Sequence, residues 1–193
     1  MSYDLIIKNG LVILEGGEVK TDIGVKDGII TGIGHGLTDG ETILDATGLI
    51  VSPGMVDAHV HITEPGGSYR DQWEGYETGT AACAKGGVTS FVEMPLNQIP
   101  ATTDGKGKLK VDVASFGGLV PFNLDNGGIK EQHEGGVAAY KCFMATCGNR
   151  DIDFDFMNMD DYSLYEGMRQ IAKTGKVLAI HAENAALTDT LGD

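Results

Sequence analysis

Asp57-Ala58-His59-Val60-His61, at the end of an apolar run, is the stretch that decides the predicted fold. Alternate side chains of a β-strand point to the same face, so His59 and His61 share one face, about 6 to 7 Å apart along the backbone. Two imidazoles placed in this way can hold one divalent metal ion between them. The alternative is two unrelated polar residues, so the metal hypothesis depends on residues further along the chain.

Four more apolar segments come after this stretch, separated in part by helical patterns. The clearest helix starts at Asp160 or Asp161 as N-cap. It carries an apolar stripe at helical spacing: Leu164, Tyr165, Met168, Ile171 and Ala172. Apolar strands that alternate with helices indicate a buried parallel sheet. The predicted strands are 56–62, 88–94, 119–123, 137–144 and 176–182.

Two connections fit this pattern poorly. Residues 97–118 contain no convincing helix, and segment 125–136 has only twelve residues, four of them glycines. A parallel crossover needs a dozen or more residues and usually a helix. We therefore expect these connections to be shortened, or to lack residues. The segment before residue 53 differs, because short apolar runs and the turn signals Asn9-Gly10 and Asp27-Gly28 predict a small all-β unit. The predicted domains are 1–53 and 54–193.

The composition excludes several classes of partner. The chain has 193 residues and a net charge of −14, and no basic stripe that could bind nucleic acid or an acidic membrane surface. Its three cysteines are too few for a disulfide framework, and the N-terminus does not resemble a signal peptide. We expect a cytoplasmic protein without a transmembrane segment, in which Cys142 and Cys147 are small buried hydrophobic residues.

Polar residues recur at the carboxyl ends of the predicted strands. His181 ends the fifth strand, and Lys141 lies within the fourth, where an ammonium is rarely buried. A neutral amine there can react with carbon dioxide to give a carbamate that bridges two metals. The alternatives are a lysine that reaches solvent and a histidine that is satisfied within the core. Asp57 and Glu183 are candidates for orienting the imidazoles.

These motifs resemble those of the cyclic amidohydrolases, which include dihydroorotases, dihydropyrimidinases and allantoinases. The resemblance rests on the stretch from Asp57 to His61 followed by Glu64-Pro65-Gly66, and it extends over nearly the whole chain. Three further stretches are most similar to allantoinases: Trp73 to Thr80, Gly86 to Asn97, and Lys141 to Gly148.

The resemblance implies an α/β fold, a (β/α)₈ TIM-type barrel with a small N-terminal β-sandwich domain. It also implies two divalent metal ions, zinc in the first place and iron, cobalt or manganese as alternatives. His59 and His61 would bind one ion, His181 the other, and carboxylated Lys141 would bridge them. The family's catalytic Asp and its last His ligand would lie beyond Asp193. Five strands cannot close a barrel, so we expect this polypeptide to be inactive by itself.

The substrate expected from the resemblance is a small cyclic ureide, allantoin, opened to allantoate. Thr63 stands where dihydroorotases carry an Arg that holds a carboxylate, and Thr146 stands where dihydropyrimidinases carry a Tyr. Asn97 matches a substrate-contacting position. Dihydropyrimidinase, hydantoinase or dihydroorotase activity is the alternative, and a non-catalytic scaffold on the same fold is a third hypothesis. Family analogy also suggests a homotetramer.

Overall fold

In the computed structural model, residues 2–62, 73–96, 107–149, 151 and 155–191 are described, and they form two five-stranded sheets. Each sheet lies in its own compact unit, and the division falls between Gly54 and Met55.

The first unit, Met1–Gly54, is built on one mixed sheet, as expected for an all-β segment. The strand order is β3-β2-β1-β4, and β5 also pairs with β1. Strands β1, β2 and β3 are antiparallel neighbours, whereas β4 and β5 run parallel to β1. The strands are β1 (Tyr3–Leu14), β2 (Gly17–Lys26), β3 (Ile29–Gly34), β4 (Gly40–Asp45) and β5 (Ile50–Val51).

Only one of the two predicted hairpin turns is found. Asp27-Gly28 joins β2 to β3 with both residues at positive φ, the conformation that tight hairpins favour. Asn9-Gly10 instead lies inside β1, where the pairing with β2 shifts register between Ile7 and Gly10. Asn9 has a φ of 63°, and its backbone N–H donates to Asp22 Oδ1 at 2.9 Å. Asn9 therefore adopts the left-handed conformation at an irregularity within β1, and not in a hairpin turn.

The second unit, Met55–Asp193, is built on a parallel sheet with the order β10-β9-β8-β7-β6. Consecutive strands are neighbours, as in the first part of a parallel barrel. Among the described residues of this unit, the strands are β6 (Met55–Val60), β7 (Val88–Glu93), β8 (Asp112–Gly118), β9 (Ala139–Phe143) and β10 (Leu178–His181), and the helices are α1 (Gly75–Gly86), α2 (Gly128–Glu134), α3 (Asp161–Ala172) and α4 (Ala185–Leu191).

The predicted third strand was wrong. The strand is Asp112–Gly118, the Leu119 N–H makes one further bond to the Lys141 carbonyl of β9, and a 3₁₀ turn follows at Pro121–Asn123. Leu119 and Val120 are apolar because both are buried in the core at the end of β8. The apolar character of Leu119 and Val120 therefore indicates that they are buried, and does not indicate that they lie within a strand.

The helices also correct the sequence interpretation. Segment 125–136, expected to be a shortened connection, contains α2, which was not predicted, and α4 was not predicted either. The Asp160 cap is confirmed, since its Oδ1 accepts the Ser163 N–H at 2.7 Å. The inner face of α3 nevertheless differs from the predicted stripe, because Tyr165 and Met168 are exposed. Ile171, also in the predicted stripe, is buried as expected, and Gly167 is buried beside the stripe.

The core of the second unit lies between the sheet and its helices. One cluster includes Leu119, Tyr140 and Ile171, and a smaller one joins Ile62, Tyr76 and Phe91 under α1. Apolar side chains of the strands are buried against the helices, which leaves the carboxyl ends of the strands for polar groups. Among the described residues, no helix has the length and apolar character needed to cross a membrane.

Candidate metal centre

Three of the parallel strands deliver the candidate ligands. His59 lies near the end of β6 and His61 directly follows it, Lys141 lies in β9, and His181 is the last residue of β10. Carboxyl ends of parallel strands meet at one edge of the sheet, so these side chains share one rim.

The His59 and His61 rings converge on each other. Their Nε2 atoms are 3.2 Å apart, with ring centroids 5.1 Å apart and an angle of 61° between the planes. Two nitrogens bound to one tetrahedral zinc at ordinary bond lengths would be about 3.3 Å apart. The donor pair therefore fits one metal ion without rearrangement. The Trp73 ring packs edge-on against His61, with centroids 5.9 Å apart.

The environment of His61 favours its neutral form. Burial lowers the pKa of His61, and the positive charges of His59 and Lys141 lower this pKa further. A neutral imidazole offers the lone pair that a metal needs.

Lys141 is buried, with only 6% of its surface exposed. Its Nζ lies 5.0 Å from the centroid of the Phe143 ring, a cation–π contact. The same Phe143 ring stacks on His181, with centroids 5.0 Å apart and 29° between the planes. Phe143 thus contacts both candidate ligands of β9 and β10, and the sequence interpretation missed it because it reads as an ordinary apolar strand residue.

The two acidic residues proposed to orient imidazoles are placed differently. Glu183 Oε1 lies 2.7 Å from His181 Nε2, in direct contact with the ring. Asp57 Oδ1 accepts the backbone N–H of His59 at 3.0 Å, so the contact seen for Asp57 is with the main chain rather than with a ring. Asp57 therefore holds the backbone that carries the first histidine.

A cavity of about 260 Å³ joins the histidines of β6 and β10. His59, His61 and His181 form its polar side, and the other lining residues are Leu96, Phe143, Cys147 and Phe156. Cys147 was expected to be a buried hydrophobic residue. It is only partly buried and lines this cavity, because it follows the end of β9 in the loop above the sheet, whereas Cys142 within β9 is fully buried.

The predicted substrate contacts are only partly described. Thr63 and Asn97 lie outside the described residues. Thr146 is exposed, and its hydroxyl donates to Asp189 Oδ2 at 2.7 Å. In the part of the chain that the structure describes, no three His, Cys, Asp or Glu side chains are grouped closely enough to bind one metal. The histidines are instead arranged as a His59–His61 pair and a separate His181.

Comparison with known proteins assigns the chain to a family. The model of the dihydro-orotase-like family matches residues 48–192, most of the chain. The chain belongs to the dihydro-orotase-like family. Residues 1–56 match the model of the urease alpha-subunit N-terminal domain. The two matches cover the parallel sheet and the mixed sheet, respectively.

Several curated proteins that are similar to this chain are allantoinases. The allantoinase of Bacillus licheniformis is 68% identical over 203 residues, and that of Escherichia coli O1:K1 is 52% identical over 203 residues. Both alignments cover 100% of this chain and 44% of the relative, so the chain spans less than half the length of these proteins. The alignments are 203 residues long and this chain has 193, so the relatives contain residues in this region that have no counterpart here.

Solved structures agree on the fold. An L-hydantoinase (dihydropyrimidinase) from Arthrobacter aurescens superimposes with a TM-score of 0.81 at 32% identity, and a D-hydantoinase with 0.78 at 31%. The matches cover 98% and 97% of this chain and 43% and 42% of those chains. The parallel sheet is therefore arranged as in part of a cyclic amidohydrolase barrel.

Proposed function

We propose that this chain carries one part of the active site of an allantoinase, which hydrolyses the hydantoin ring of allantoin to allantoate. The observation that carries the proposal is the convergence of His59 Nε2 and His61 Nε2 in a cavity that His181 also lines. The similarity to allantoinases over the whole chain supports this choice of substrate. Thr63, Asn97 and Thr146 are the proposed substrate contacts, and Thr63 in place of Arg disfavours dihydroorotate.

The proposed cofactor is a pair of divalent metal ions. His59 and His61 would hold one ion and His181 the other, with Lys141 carboxylated on its Nζ as the bridge. Imidazole and oxygen ligands suit zinc first, and also iron, cobalt or manganese. When bound, the ions would supply Lewis acidity for hydrolysis of a cyclic amide.

The chain's own residues prepare this site. Burial, the largest cause of the lowered pKa of His61, favours a neutral imidazole there, and Glu183 contacts the His181 ring. Phe143 packs against both Lys141 and His181, which restricts their side-chain rotamers. The proposed general acid/base, the family's Asp, is not assigned to a residue of this chain.

The larger assembly is proposed by analogy with the family. The parallel sheet, in the segment 54–193, would form part of a (β/α)₈ barrel, and residues 1–53 would contribute one sheet of a β-sandwich domain. A homotetramer in the cytoplasm is the proposed state.

Hydrolysis of hydantoins or dihydropyrimidines is the second candidate. The observation that favours it is the similarity to an L-hydantoinase (dihydropyrimidinase) and a D-hydantoinase. A direct comparison of allantoin, hydantoin and dihydrouracil as substrates separates the two candidates.

The proposed function is tested on the complete reading frame that contains this chain. Purified protein should contain about two metal ions per chain and open allantoin. Lys141→Ala should lose metal and at least 100-fold of the activity, as expected for loss of a metal-bridging group. Lys130→Ala is the matched control, because Lys130 is exposed and its ion pair is with Glu134 on its own helix. Full metal content and activity in Lys141→Ala would show that Lys141 does not bridge the metal ions, whereas wild-type protein that opens no cyclic amide would favour the scaffold hypothesis.

A further inference from the structure

A hydrogen bond joins two segments of the rim that lie far apart in sequence. The Thr146 hydroxyl donates to Asp189 Oδ2 at 2.7 Å across 43 residues. Thr146 follows β9, which carries Lys141, and Asp189 lies in α4, which follows β10 and His181. Both side chains are exposed. The contact therefore joins the segments that follow two ligand-bearing strands.

The direction of this hydrogen bond decides what the pair can bind. A threonine hydroxyl has one proton and two lone pairs, and an ionised carboxylate only accepts hydrogen bonds. Since the hydroxyl proton of Thr146 is directed to Asp189, the remaining capacity of the pair is for accepting hydrogen bonds. The pair is thus suited to N–H groups of a ligand and unsuited to a developing oxyanion.

The cavity of the histidines has no such side-chain acceptors on its apolar side, and Thr146 and Asp189 are not among its described lining residues. Cys147, next to Thr146 in sequence, lines the cavity together with Leu96, Phe143 and Phe156. Apart from the histidines, the described side chains that line the cavity are therefore aliphatic, aromatic or thiol groups. Allantoin is a hydantoin ring that carries a ureido substituent, and that substituent presents N–H donors which an apolar wall would leave unpaired.

We propose that Thr146 and Asp189 form an acceptor subsite that binds the N–H groups of the ureido substituent and thereby selects allantoin over hydantoins that lack it. This inference rests on the proposed function and assigns Asp189 a role in substrate specificity. Sites built to hydrogen-bond a substrate group discriminate strongly against analogues without it, because their own polar groups are then left unpaired.

The test compares two ligands that differ in the ureido group. In the metal-loaded protein from the complete reading frame, Asp189→Ala and Thr146→Val should each raise KM for allantoin about tenfold or more, the loss expected for a hydrogen bond to a charged group. The inhibition constant of unsubstituted hydantoin should not change. Asp189→Asn keeps one carbonyl acceptor and should lose less than Asp189→Ala.

Thr190→Ala is the matched control, because its hydroxyl donates to the Ala186 carbonyl of the same helix. Thr190→Ala should leave the KM for allantoin and the inhibition constant of hydantoin unchanged. The double variant should be no worse than the poorer single variant, since the two side chains act as one unit.

Equal losses for allantoin and hydantoin would indicate a merely structural role and overturn the proposal, as would an unchanged KM in both variants. If the wild-type protein opens hydantoin but not allantoin, the proposed function is wrong. The proposed subsite can then still be tested by measuring the binding of both ligands by calorimetry. In that experiment allantoin must bind more tightly than hydantoin, and Asp189→Ala must remove the difference. Equal binding of the two ligands by the wild type would overturn the subsite.

Discussion

The three cysteines differ in their surroundings, and this sets their expected reactivity. Burial raises the pKa of Cys142 to about 11, and also raises the pKa of Cys83. Cys147 is partly exposed and lines the cavity. Because the thiolate is the nucleophile, about one in a thousand Cys142 thiols is reactive at pH 8 even before access is considered.

We expect iodoacetamide at pH 8 to modify Cys147 first and Cys142 only after unfolding. Peptide mapping by mass spectrometry at successive times measures the three rates. Cys147→Ser should remove the fast phase and leave the others unchanged. Rapid labelling of Cys142 in the folded protein would contradict this order.

Asp22 is a buried carboxylate of the N-terminal sheet that satisfies two backbone groups. Its oxygens accept the backbone N–H groups of Asn9 at 2.9 Å and Leu37 at 3.1 Å. The bond from Asn9 is the largest cause that lowers the pKa of Asp22, and the bond from Leu37 lowers this pKa further. Asp22→Asn replaces one acceptor with a donor that faces an N–H. We expect a loss of about 1–3 kcal/mol in unfolding free energy at pH 7, measured by urea unfolding followed by circular dichroism.

The pH dependence of this loss follows from the sign of the shift. Because the folded pKa of Asp22 is lowered, its stabilisation is complete above the unfolded value, about 4, and is lost as the pH falls through the folded pKa. The difference between wild type and Asp22→Asn should therefore shrink below about pH 4. Glu18→Gln, at an exposed site on β2, should show no such difference at pH 7. A gap that grows on acidification would refute the assignment.

At the scale of elements, α3 packs on the sheet through a glycine. A Cβ at Gly167 would lie 2.6 Å from Leu119 Cδ2 and 2.7 Å from Leu119 Cδ1, inside the buried core. Gly167→Ala gains about 1 kcal/mol of helix propensity but overpacks this contact at a cost of about 1–3 kcal/mol. We expect net destabilisation, measured as a lower midpoint of urea unfolding.

Gly86→Ala is the matched control for Gly167→Ala. It is also a helical glycine, but no heavy atom lies within 4 Å of its added Cβ. This variant should be neutral or slightly more stable. A Gly167→Ala protein that matches Gly86→Ala in stability would show that Leu119 moves aside without cost.

The elements also show what sequence patterns can and cannot predict. Strands β6, β7, β9 and β10 were predictable because their apolar runs end at clear turn or helix signals. Strand β8 was missed because its last residues, Gly117 and Gly118, leave it weakly apolar, while the buried Leu119 and Val120 beyond it are more apolar. Helix α2 was missed because it has only seven residues and glycines at both ends.

The candidate site shows the same division between local and non-local information. Strand alternation was enough to place His59 and His61 on one face, since that relation depends only on neighbouring residues. The contact between Thr146 and Asp189 joins segments 43 residues apart, and nothing in the local pattern of either segment indicates the other. Phe143 was likewise missed, because a phenylalanine in a strand does not reveal which ligand it contacts.

At the scale of the whole molecule, the parallel sheet has two open edges among the described residues. Strands β6 and β10 are outermost, and each pairs with a single neighbour. Val56 in β6 and Val177 just before β10 are 70% and 69% exposed. Unpaired strands that carry exposed apolar side chains are templates for association with another chain.

We therefore expect the 193-residue polypeptide, expressed alone, to self-associate and to lack allantoin-opening activity, because five strands cannot close a barrel. Size-exclusion chromatography with light scattering measures the association. Val56→Lys should reduce it by placing a charge on the β6 edge, whereas Tyr162→Lys, at an equally exposed position on α3, should not. A monomeric, metal-loaded and active polypeptide would show that the open edges do not drive association and that the centre is complete without further strands.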